Sequence, residues 1–119
     1  MTTWTKKERG LLDSARREAL RALDLLRLDR AYLARDLMAS DGPELIRQAL
    51  VARAARYRAT ATGLFGQARF CRSLTFAADE LREPIALSCD KKAVRMTWYA
   101  RSDEDLARKV EEHGLPEDL

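Results

Sequence analysis

Pro84-Ile85-Ala86-Leu87-Ser88-Cys89-Asp90-Lys91-Lys92-Ala93-Val94-Arg95-Met96-Thr97-Trp98 is the stretch whose reading decides the fold class. Ile85, Leu87 and Cys89 alternate with small or polar residues. Val94, Met96 and Trp98 alternate again, and Asp90-Lys91-Lys92 lies between the two runs. A period of two places large side chains on one face of a pleated strand, so the favoured reading is a β-hairpin over 85–99. The alternative is a helix starting near Asp90, because Asp90-Lys91-Lys92-Ala93 also resembles a helix start. Downstream, Ser102-Asp103-Glu104-Asp105 is a helix N-terminus with acids stacked where the dipole favours them. Leu106 and Val110 continue that short helix, and Gly114 with Pro116 ends it.

Upstream of Pro84 the pattern is helical. Phe70, Cys71, Leu74, Ala78 and Leu81 share one side of a helix expected over 67–82, and Gly63-Leu64-Phe65-Gly66 is read as a break before it. Ile46, Leu50, Ala54, Tyr57 and Ala61 share one face of a helix running to about Thr62. Ser40-Asp41-Gly42-Pro43-Glu44 reads as a boundary, with glycine ending one helix and proline suiting the first turn of the next. Before it, Thr5-Lys6-Lys7-Glu8 is a capping box. Leu12, Ala15, Ala19, Leu23, Leu26, Leu33 and Leu37 then recur at helical steps, with a shorter stripe at Leu25, Leu28 and Tyr32. A helix over about 6–38 would be near 50 Å long, so it is expected either to kink near Gly10 or Asp29-Arg30 or to project toward a partner. The expected fold is mainly α: a small helical bundle with a long N-terminal helix, then a C-terminal β-hairpin followed by a short helix, all in one domain over 1–119.

With 46% apolar and 34% charged residues, the composition is that of a globular chain rather than a disordered one. No stretch reaches the roughly 18 to 20 apolar residues needed to cross a bilayer. No apolar core follows the charges of the N-terminus, so a cytoplasmic location and no membrane partner are expected. Cys71 and Cys89 are isolated and are expected to be plain thiols rather than zinc ligands. His113 beside Gly114 reads as an exposed residue at a helix C-terminus. No catalytic, cofactor or metal motif occurs. Gly63-Leu64-Phe65-Gly66 formally fits the GXXG clamp of one RNA-binding fold, but its helical context favours a simple break. The chain is therefore read as non-enzymatic, with no cofactor.

Charge is distributed unevenly. Asp13 with Arg17, Glu18 with Arg21 and Asp24 with Arg27 stand at helical spacing, which describes a self-neutralised face. Residues 45–78 contain no aspartate or glutamate but hold Arg47, Arg53, Arg56, Arg58, Arg69 and Arg72. With Lys91 and Lys92 these are the candidate nucleic-acid-binding residues, since guanidinium groups without nearby acids create a positive potential. Two other accounts compete: neutralisation within the fold by Asp29, Asp36 or the C-terminal acids, and an acidic protein partner. A GC-rich genome would also inflate arginine, which makes up 17 of the 22 basic residues.

In size, helicity and arginine band the chain resembles the small helical subunits of CRISPR ribonucleoprotein effectors. That resemblance implies a non-catalytic subunit that holds DNA or RNA backbone and docks other subunits, or itself, through helix one. One alternative is a winged-helix transcriptional regulator, with Arg69 and Arg72 on the recognition helix and Lys91, Lys92 and Arg95 on the wing. The other is a helical adaptor or antitoxin-like protein whose arginines grip a protein.

Overall fold

The computed structural model describes residues 2–24 and 30–119. It contains three helices, α1 Lys6–Ala22, α2 Ala31–Ser73 and α3 Asp79–His113, and no strand among the described residues. The mainly α class holds, and the β-hairpin over 85–99 is overturned because that stretch lies inside α3. The expected stripe residues Leu25, Leu26 and Leu28, together with Arg27 and Asp29, lie outside the described residues. By Cα proximity the described residues form two compact units, one of those up to Arg53 together with 103–119 and one of residues 54–102.

In the first unit, the Thr5 capping box forms as expected. The Glu8 amide donates to Thr5 Oγ1 at 3.1 Å, and the Thr5 amide donates to Glu8 Oε1 at 2.9 Å. The long first helix does not form: α1 ends at Ala22, and Asp24 adopts φ 55, a left-handed conformation that terminates a helix. Leu12 and Ala15 from α1, Ile46 and Leu50 from α2, and Leu106, Ala107 and Val110 from α3 form the core. Lys109 closes the N-terminal strap. It donates to the Thr3 carbonyl at 2.7 Å, pairs with Glu8 at 3.0 Å and stacks over Trp4 at 4.5 Å. Gly114, at φ +74, ends α3 where the sequence places the stop.

The expected boundary at Ser40–Glu44 is absent, and α2 runs through Gly42-Pro43. Met38, Gly42, Ile46 and Leu50 recur every four residues, and all but the half-buried Met38 are buried. A break at proline would remove Met38 and Gly42 from that face. Interior proline costs about 3 kcal/mol, partly because the carbonyl four residues back loses its donor. Here that residue is Ala39, which is exposed, so water can serve its carbonyl.

The second unit is a helical hairpin, with the α2 part from Ala54 and the α3 part to Ser102. Its partners descend in one segment as they ascend in the other: Tyr57 with Tyr99, Gln67 with Cys89, Arg72 with Glu83. The two segments are therefore antiparallel. Between them runs a seam of alanines at seven-residue spacing, Ala54, Ala61 and Ala68 facing Ala86, Ala93 and Ala100, each at most 4% exposed. The turn falls after Ser73, in the middle of the helix expected over 67–82. Arg82 donates to the Arg72 carbonyl at 3.0 Å and so satisfies a backbone group at the end of α2. Asp79 and Glu80 open α3 in the favourable dipole position.

The expected break at Gly63–Gly66 is also absent, since α2 continues to Ser73. A Cβ on Gly63 would meet nothing within 4 Å, so the glycine there contributes only backbone entropy to the unfolded chain. Gly63→Ala should therefore stabilise the protein by about 0.5–1 kcal/mol in urea denaturation. A loss of stability would mean that the helix is interrupted there.

Candidate functional site

The eight predicted basic residues do not form one exposed cluster. Arg53 is buried in the first unit, where its Nε and Nη2 donate to Asp103 at 2.7 and 3.0 Å. Its Nη1 also donates to Ser14 Oγ at 2.7 Å, so a single guanidinium ties α1, α2 and α3 together. Arg47 forks onto Glu44 at 2.9 and 2.6 Å. Hydrogen bonds from Arg47 and then Gln48 hold the Glu44 carboxyl down at about 2. Arg72 reaches Glu83 at 3.0 Å and Asp90 at 2.7 Å, and those hydrogen bonds, Glu83 first, raise its pKa. Arg56 and Arg58 are exposed on α2 and are also engaged by partners.

Three of the six arginines in the acid-free window 45–78, Arg47, Arg53 and Arg72, are thus paired with acids that lie outside the window. Their counter-charges are Glu44 just before it, Glu83 and Asp90 across the hairpin turn, and Asp103 on α3. Spacing along one segment cannot reveal partners 11 to 50 residues away. Of the predicted residues, Arg69, Lys91 and Lys92 are exposed and make no ion pair among the described residues. The wing that was to carry Lys91, Lys92 and Arg95 does not exist, and the winged-helix reading goes with it. In the apolar stripe of helix one, Leu12, Ala15 and Ala19 are buried, Leu33 and Leu37 are half-buried and Leu23 is exposed.

A feature the sequence reading missed is the outer surface of the hairpin. Among the described residues, twelve large apolar side chains are exposed, and nine of them lie within residues 54–102. Phe76 is 87% exposed, Trp98 and Leu81 68%, and Phe70 64%; Phe70 and Leu81 were expected to share one side of a helix over 67–82, which the turn after Ser73 divides. Arg72 and Asp90, each four residues past a seam alanine, meet at 2.7 Å. Positions with equal offsets from the seam therefore share a side of the antiparallel pair. By that rule Leu87, Val94 and Arg101 lie on the same side as Arg69, each one residue past a seam alanine.

The same unit carries nine Lys or Arg against four Asp or Glu, a net +5. Three of those acids are already paired: Asp79 with Arg82, and Glu83 and Asp90 with Arg72. Cys71 and Cys89 are half-buried free thiols, and no group of three metal-ligating side chains occurs among the described residues. No described helix is long and apolar enough to cross a membrane. No protein-family model, no curated protein and no solved structure matches this chain.

Proposed function

We propose that this chain is a non-catalytic helical subunit that joins a larger assembly by docking protein against the hairpin of residues 54–102. The observation that carries this reading is the inversion of the hairpin, with alanines inside and large apolar side chains outside. Each buried methyl contributes about 0.8 kcal/mol, so the six-alanine seam contributes only about 5 kcal/mol. Each exposed Phe, Leu or Ile would contribute roughly 1.5–3 kcal/mol if it were covered. Exposed apolar patches of this kind mark interaction surfaces in soluble proteins.

A photo-reactive phenylalanine analogue placed at Phe70 or Trp98 in cells should cross-link to protein several-fold more than one placed at exposed Arg17 or Lys7. Equal yields at the four positions would remove the reading. A second reading, contact with nucleic-acid backbone, is favoured by the net +5 and by the unpaired Arg69, Lys91 and Lys92. It predicts binding to unrelated sequences that falls steeply with salt and is lost in an Arg69→Glu, Lys91→Glu variant. Unchanged binding in that variant would dismiss it.

A further inference from the structure

We infer that the α3 row Leu87, Lys91, Val94 and Trp98, flanked by Arg95 and Arg101, takes an acidic amphipathic helix of a partner protein. The inference rests on the docking reading above and specifies its ligand. The row has steps of four, three and four residues, so it forms one continuous stripe along α3. Leu87, Val94 and Trp98 are 46%, 48% and 68% exposed and supply an apolar strip about three turns long. Lys91, Arg95 and Arg101 are exposed and make no ion pair among the described residues.

Charge complementarity selects the occupant. Of the hairpin's four acids, Asp79, Glu83 and Asp90 are held by Arg72 and Arg82, which leaves the bases beside the strip unneutralised. A second copy docking through the same strip would set Lys91 and Arg95 against their own equivalents, which costs free energy. Nucleic acid would meet the bases and stack on Trp98, but aliphatic Leu87 and Val94 offer bases no stacking surface. A helix with leucine-like residues at i, i+3, i+4 and i+7 and glutamates along its borders satisfies both the strip and its rim.

The test uses the full chain and three fluorescein-labelled peptides of about 18 residues, long enough for five turns. One is an amphipathic Leu/Glu helix, one is its Leu/Lys counterpart, and one is a shuffled Leu/Glu sequence without helical period. The chain should bind the Leu/Glu helix well above the other two. Trp98→Ala should weaken that binding about tenfold or more, as expected when the largest aromatic anchor of a docking strip is removed. Lys91→Glu combined with Arg95→Glu should reverse the preference toward the Leu/Lys helix. All three positions are exposed, so helicity and denaturation midpoint should stay unchanged and report that the variants fold.

Leu/Glu binding no tighter than the shuffled control, or insensitive to these substitutions, would overturn the inference. So would sedimentation showing a dimer that Trp98→Ala dissolves, or a single-stranded oligonucleotide that binds more tightly and displaces the peptide. Position-specific cross-linking at Trp98 without peptide binding leaves the docking reading standing and removes only this ligand assignment.

Discussion

Asp103→Ala should cost about 3–5 kcal/mol of stability, because it takes the Asp103 carboxylate away from a buried guanidinium that donates to it twice. The Asp103 side chain is 1% exposed and that of Arg53 is 9%, so solvent cannot replace the lost partner. Ser14 Oγ and the Leu11 carbonyl are among the acceptors that remain, and neither of these two carries a negative charge. Removing both charges is a different experiment. Arg53→Met with Asp103→Leu places apolar side chains of similar volume in the site and should cost far less than the single change, or nothing. Urea denaturation of Arg53→Met, Asp103→Leu and the double variant closes a cycle that gives the coupling energy directly. A small loss on Asp103→Ala alone would mean that water reaches the guanidinium, contrary to its burial.

Ala93→Leu should destabilise the chain by about 1–3 kcal/mol, as expected for overpacking a filled position. Ala93 is fully buried, on the seam with Ala86 and Ala100 at seven-residue spacing. Alanine on this seam lets the two backbones approach closely, so three extra carbons force them apart along the whole pair. The same substitution at Ala59, exposed on α2, should stay within about 0.5 kcal/mol. Denaturation midpoints measure the total effect, and amide hydrogen exchange over 54–102 localises it. A leucine tolerated at 93 would show that the seam is loosely packed.

The seam also explains why alternation at 85–98 misled the sequence reading. Ile85, Leu87, Val94 and Trp98 are the conspicuous residues there, and all four are exposed, whereas the buried ones are Ala86, Ala93 and Ala100. Large apolar residues report the core only when the partner lies far enough away to need them. At a close helix contact the core signal moves to the alanines, and their seven-residue spacing was legible in 54–68 and 86–100. Gly42-Pro43 misled for another reason: local breakers were outweighed by burial on both sides, at Met38 and at Ile46 and Leu50.

Local chemistry was enough, without coordinates, to establish a mainly helical chain, the Thr5–Glu8 start, the Gly114 stop and the shared Ile46–Ala61 face. Those features depend on residues within one or two turns of each other, where side-chain spacing and backbone preference act directly. Where helices continue past breakers, which arginines are neutralised and which face of the hairpin is outward were decided only by the tertiary structure. Asp103 meets Arg53 across 50 residues, and Asp90 meets Arg72 across 18. Contacts that distant depend on how the helices pair, and no pattern within a single segment carries that information.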